Sequence, residues 1–188
     1  MDVQAVEHDF EQEQRRWKAL NDAGHEAYGR RKHVVAEEKF KEALDLAEKW
    51  GKTESLKDRQ DVRGWLALSL NNLGALYQAQ GKYGLAEEMY QRSLKMKQEL
   101  FGEDHKEVAP ALQNLASVLC ARSHFLAAEP MFRKALAIKE REFGAFDKEL
   151  LITLKNYSLA LKRLQRDAEA AALDERIEKI EGLNLQAK

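Results

Sequence analysis

From Leu70 the positions Leu73, Gly74 and Tyr77 fall at i, i+3, i+4 and i+7, on one stripe of a helix. Gln80-Gly81-Lys82 breaks the stripe. Tyr83, Ala86, Tyr90, Ser93, Leu94 and Lys97 then resume the same period as far as Gly102, a residue suited to the left-handed conformation in which helices end. Two amphipathic helices joined by a short turn are the element this predicts, and the helical period persists from Trp17 to Ile180. Ten Gly and two Pro in 188 residues supply too few turn signals for a sandwich or barrel, so an all-β chain is excluded.

The pattern repeats. A shift of 42 residues superposes Leu70, Leu112 and Leu154; Asn72, Asn114 and Asn156; and Ala86, Ala128 and Ala170. The same shift pairs Phe101-Gly102 with Phe143-Gly144. Small residues, Gly74 with Ala86, Ala116 with Ala128 and Ser158 with Ala170, stand where the two helices of each pair would cross. An earlier copy, carried by Leu20, Ala23, Gly24, Ala27, Ala36, Phe40 and Leu44, lies 50 residues before the second. Its surplus of eight residues is expected in the polar stretch 51–59, with Trp17, Trp50 and Trp65 plugging the longer junction. In the last copy Asp167 and Asp174 replace the aromatics of the Tyr83 and Tyr90 columns, as suits a terminal repeat facing water. The reading is an all-α solenoid of about four helix-turn-helix hairpins at 17–50, 64–101, 106–143 and 148–181. Residues 1–16 form a helical or partly disordered lead-in, and residues 182–188 a C-terminal tail.

Leu-x-x-Leu-Gly-x-x-Tyr, a turn, then Tyr-x-x-Ala-x-x-x-Tyr-x-x-Ser-Leu resembles the tetratricopeptide repeat, and the spacing of 42 with Asn-Asn-Leu is similar to the kinesin-light-chain variety. The resemblance covers residues 17–181 and implies a right-handed superhelix whose members hold peptides in a concave groove. Lining that groove here would be a second stripe on the first helix of each hairpin: Leu68, Asn71, Asn72, Ala75 and Gln78; Pro110, Gln113, Asn114, Ser117 and Cys120; Ile152, Lys155, Asn156, Leu159, Lys162 and Arg163. The peptide-binding candidates are Asn71, Asn72, Gln113, Asn114, Ser117, Lys155, Asn156, Lys162 and Arg163. A side-chain amide carries both donor and acceptor, so the Asn72, Asn114, Asn156 column could track a peptide backbone; the competing reading is that these residues bond neighbouring helices and hold the stack. Lys155, Lys162 and Arg163 gather at one end, which would suit an acidic or carboxylate-ended segment, while a merely solvated face is the bland alternative.

Charge and chemistry narrow the function. Lys plus Arg is 31 and Asp plus Glu 32, so no global field draws in nucleic acid or an anionic membrane. No apolar run approaches the roughly 18 residues of a membrane span, and no secretory leader is visible at the N-terminus. Phosphate-binding, nucleotide-binding and hydrolase signatures are absent. The five histidines are scattered without metal-ligand spacing, so no metal and no cofactor is expected. The single cysteine, Cys120, reads as a structural thiol and leans the location toward the cytoplasm. These observations imply a non-enzymatic adaptor that holds a peptide of a partner protein and is itself a monomer or weak homo-oligomer. A structural homo-oligomerising scaffold is the alternative, and a chaperone or assembly factor a second one.

Overall fold

The computed structural model describes residues 3–53 and 59–186, with side chains over 8–53 and 59–183; residues 54–58, within the expected surplus, lie outside the described residues, as do 1–2 of the lead-in and 187–188 of the tail. Among the described residues there are eight α-helices, one short 3-10 turn at Lys148–Leu150 and no strand. The helices are α1 (Val3–Gly29), α2 (His33–Gly51), α3 (Gln60–Ala79), α4 (Tyr83–Phe101), α5 (Val108–Ala121), α6 (Phe125–Phe143), α7 (Leu151–Arg163) and α8 (Asp167–Gln186). Two compact units divide the chain, residues 1–96 and 97–188, with the division inside α4.

In the first unit α1 packs on α2 and α2 on α3. The crossings are made by glycine facing an aromatic ring: a Cβ on Gly24 would stand 2.5 Å from Phe40, and one on Gly74 2.8 Å from Tyr90. In the second unit α5 packs on α6, α6 on α7 and α7 on α8. Its small crossing residues Ala116, Ala128, Ser158 and Ala170 are all buried. Pro130 lies inside α6, so the Leu126 carbonyl loses its helical partner; it sits in the exposed first turn, open to solvent.

All four hairpin turns close in the same way. The N–H groups of Lys32, Lys82, His124 and Arg166 reach back to the carbonyls of Ala27, Tyr77, Leu119 and Leu161 at 2.8 to 3.0 Å. That bond requires one left-handed residue just before it. Glycine fills the place only at Gly81 (φ 72°); Arg31, Ser123 and Gln165 occupy it at φ 57°, 63° and 59°.

The extra eight residues of the first junction are spent largely on helix. α3 opens fourteen residues before Gly74, whereas α5 opens eight before Ala116. The added turns carry Val62 and Trp65 into a core with Phe10 and Ala47, against which Trp17, Trp50 and Leu66 pack. Trp65 is stacked between Phe10 (4.9 Å, 9°) and Trp17 (5.3 Å, 12°), and Trp50 meets Phe10 edge-on. Aromatic pairs of this kind contribute about 0.5–1.5 kcal/mol each beyond their buried area. Arg59 lies 4.1 Å from the centre of the Phe10 ring and is held there by Asp61 through two bonds of 3.0 and 3.1 Å. α1 is therefore continuous through residue 17, and Phe10, in the expected lead-in, belongs to the core.

Candidate functional site

The candidate residues lie on the first helices of the hairpins, α3, α5 and α7, and each unit disposes of its polar groups differently. Where α1 meets α3, Asn72 is 5% exposed and its Nδ2 donates to Asn21 Oδ1 at 2.8 Å, while Asn21 Nδ2 donates to the Trp17 carbonyl at 2.8 Å. That carbonyl can only accept, so the amide orientations follow from the bonding. Beside them Trp17 Nε1 donates to Ser69 Oγ at 2.9 Å. These bonds button α1 to α3. Asn71 is half-buried on the same face, next to the exposed Leu68.

On the face shared by α5 and α7 the bonds lie nearer the surface. Gln113 Oε1 accepts from Thr153 Oγ1 at 2.5 Å and from Lys139 Nζ at 2.9 Å. An ammonium group only donates, which fixes the Gln113 amide with its nitrogen turned away from Lys139. Ser117 Oγ gives its proton to the Gln113 carbonyl at 2.8 Å and accepts from Asn156 Nδ2 at 3.3 Å. Gln113, Asn114, Ser117 and Asn156 are all half-buried. On α7, Ile152, Asn156, Leu159 and Arg163 fall at i, i+4, i+7 and i+11, one continuous stripe, with Ile152 64% and Leu159 54% exposed.

The basic candidates are brought together but mostly occupied. Lys155 pairs with Glu181 at 2.7 Å and Lys162 with Asp174 at 2.6 Å, both across to α8. Lys162 and a bond from Ser158 hold the Asp174 carboxyl below its ordinary range. Arg163 is exposed and makes no ion pair among the described residues. Cys120 is half-buried, and burial pushes its thiol up to about 11, away from the thiolate that nucleophilic chemistry needs.

Thr153, Lys139 and the pairing of Asn21 with Asn72 escaped the sequence reading. Register offered a signal for Lys139. It lies 42 residues after Lys97, and the pair repeats a contact: Lys97 Nζ donates to the Glu107 carbonyl at 3.1 Å and Lys139 Nζ to that of Glu149 at 3.2 Å. Burial lowers the Lys139 pKa.

A second recurrent contact joins consecutive hairpins. Glu37 accepts from Tyr77 Oη at 3.3 Å with Lys82 3.6 Å away, and Glu129 accepts from Tyr157 Oη at 2.7 Å with Arg166 3.4 Å away. Lys41 above all holds the Glu37 carboxyl below the usual range, while burial, with Glu129 beside it, pushes the Tyr157 phenol up to about 12. Among the described residues no group of three or more His, Cys, Asp or Glu is placed to hold a metal, and no helix is long and apolar enough to cross a membrane.

Residues 65–141 match the tetratricopeptide repeat family model. No curated protein matches the chain in sequence. Among solved structures the chain is similar to BtubC (BKLC) from P. vanneervenii, with 22% identity and a TM-score of 0.77 over 89% of this chain; it spans 63% of that protein's chain. It is also similar to a P. anserina chain described as a kinesin light chain with nearly identical TPR-like repeats (13% identity, TM-score 0.58, 90% of this chain and 96% of that one). MamA shares 15% identity at a TM-score of 0.50, over 90% of this chain and 94% of that one. At these identities the likeness is one of fold: an all-α helical-repeat solenoid. Such repeats serve in general as non-catalytic scaffolds for protein–protein interaction. Over residues 65–141 the sequence is thus similar to the tetratricopeptide-repeat family, and over about nine-tenths of its length the chain shares the fold of solved helical-repeat solenoids, kinesin-light-chain repeats among them.

Proposed function

We propose that the chain is a non-enzymatic adaptor that holds a peptide segment of a partner protein on a first-helix face of its hairpins, with Gln113, Asn114, Ser117, Asn156 and Arg163 as the polar contacts on the second unit and Asn71 as the candidate contact on the first. The observation that supports this reading is the α7 stripe. Ile152 and Leu159 stand out in solvent on either side of the half-buried Asn156, an arrangement that costs apolar exposure and gives the fold nothing in return. Asn72 supports the helix stack from its buried position, and a partner meets it only through the neighbours it orders.

Site-specific photo-crosslinking in native lysate tests the reading. A benzophenone side chain at position 159 is expected to capture a discrete partner, and the same group at the exposed Arg133 on α6 is not. Capture at 133 alone, or indifferently at both, would overturn it. Light scattering of the pure chain separates the adaptor from a self-assembling scaffold: a mass that stays monomeric as concentration rises supports the adaptor, and steady growth supports the scaffold.

A further inference from the structure

The bonding on the α5–α7 face determines which polar atoms are left to a partner. Gln113 Oε1 is committed twice, to Lys139 and Thr153, so what the residue presents is its Nε2 with two N–H groups. Ser117 has given away its one proton, so Asn156 must offer its nitrogen to Ser117, and its Oδ1 acceptor is what it presents. A donor on α5 and an acceptor on α7 are thus left over on two helices that Ser117 joins. A peptide unit has one carbonyl and one N–H to set against them.

Charge on this face has largely cancelled within the molecule. Lys155 and Lys162 face Glu181 and Asp174 on α8, and Lys139 is turned inward to Gln113 and the Glu149 carbonyl. Of the basic candidates, Arg163 at the last position of α7 is left without an ion pair among the described residues. An acidic segment would find two carboxylates beside the two lysines it sought. Resting on the peptide-binding reading above, we infer that the α5–α7 face takes an uncharged, extended peptide whose backbone carbonyl accepts from Gln113 Nε2, whose N–H donates to Asn156 Oδ1, and whose apolar side chains lie against Ile152 and Leu159.

The test uses the full chain and a phage-displayed library of random dodecapeptides as the probe. Selected peptides are expected to be apolar without net negative charge, and to bind within about twofold at roughly 50 and 500 mM salt, since nothing screenable drives them. Gln113→Glu keeps both internal bonds, because a carboxylate accepts from Lys139 and Thr153 as the amide oxygen did, but it removes the N–H groups. It should weaken these peptides about tenfold or more at both salt concentrations, with the far-UV signal unchanged. Leu159→Ser should weaken them as well. Acid-rich peptides whose affinity falls with salt but which still depend on Leu159 would overturn the inference and leave the interaction face standing. Undiminished affinity in Gln113→Glu would overturn the amide assignment. Peptides indifferent to both substitutions, or a library that yields no binder, would overturn this inference and the peptide-binding reading together.

Discussion

The first unit spends its distinctive side chains on itself, and the second leaves them at the surface. In the first, three aromatic rings stack across α1 and α3, Asn72 is sealed against Asn21, and glycines let the helices approach until the ring of Phe40 or Tyr90 fills the space a Cβ would need. In the second, no tryptophan occurs, alanine or serine stands in the glycine columns, and the amides that join α5 to α7 are only half-buried. The same repeat thus yields one pair of hairpins specialised for cohesion and another with polar and apolar groups to offer. Copies of a repeat can diverge in this way because each buries its core against its neighbours and leaves its first-helix surface free to vary.

Truncating the aromatic stack strikes this contrast hardest. Trp65→Ala is expected to cost about 3–5 kcal/mol, since it empties a ring-sized volume between Phe10 and Trp17. Trp17 and Trp50 remain as reporters confined to the first unit, whereas far-UV circular dichroism averages over both. In urea the fluorescence midpoint should therefore fall further than the dichroism midpoint. If the two fell together, the units would unfold as one body and the contrast would be chemical only.

Gly74→Ala comes next. In an exposed helix the change would gain roughly 1 kcal/mol. Here the new Cβ would meet Tyr90 at 2.8 Å, and a buried ring cannot withdraw as the end of a flexible chain does. The expected net cost is about 1–3 kcal/mol in thermal or chemical unfolding. A neutral or stabilising result would show that the crossing has slack and that glycine is not required there.

The Asn column divides the units directly. Asn72→Ala removes the donor from Asn21 Oδ1 in a buried place and should cost about 1–3 kcal/mol of stability. Asn156→Ala breaks one bond of 3.3 Å at a half-exposed site where water can replace it, and should cost under about 1 kcal/mol. Equal costs at the two positions would mean that the column is one structural ladder throughout, and would remove Asn156 from the groups that α7 offers to a ligand.

How much of this could be read in advance depended on whether a residue's role is set by its own helix or by a neighbour. Helices, turns and crossings follow from local period and residue size, and Gly24, Gly74, Ala116 and Ser158 disclosed their places by spacing alone. The expected groove stripe placed Gln113, Ser117 and Asn156 on first-helix surfaces for the same reason. What spacing could not reveal is that Lys155 and Lys162 would be met by Glu181 and Asp174, because that depends on how α8 lies on α7. Asn21 and Asn72 occupy different columns of the repeat, so their pairing across α1 and α3 was equally hidden. The surplus was expected within the polar stretch 51–59 and the second hairpin from residue 64, whereas α3 already opens at Gln60, where burial of Val62 and Trp65 outweighs the poor helix propensity of the residues around them.

The smallest effect probes the feature that both units share. Arg31 in the first unit and Ser123 and Gln165 in the second hold φ near +60°, where an L side chain crowds its own backbone, while Gly81 meets the same requirement without that strain. Replacing Ser123 or Gln165 with glycine relieves the strain but frees the unfolded chain, so the net gain is expected to be no more than about 1 kcal/mol. Arg31→Gly should gain as much, and Gly81→Ala should lose about 1 kcal/mol by the reverse argument. Because each turn is closed by the same bond, from the residue after the left-handed position to a carbonyl five back, the three glycine variants should give nearly equal increments whichever unit they fall in. If Arg31→Gly alone destabilised the chain, that side chain would be doing something at its turn that Ser123 and Gln165 do not. The difference between the units would then reach even the turns.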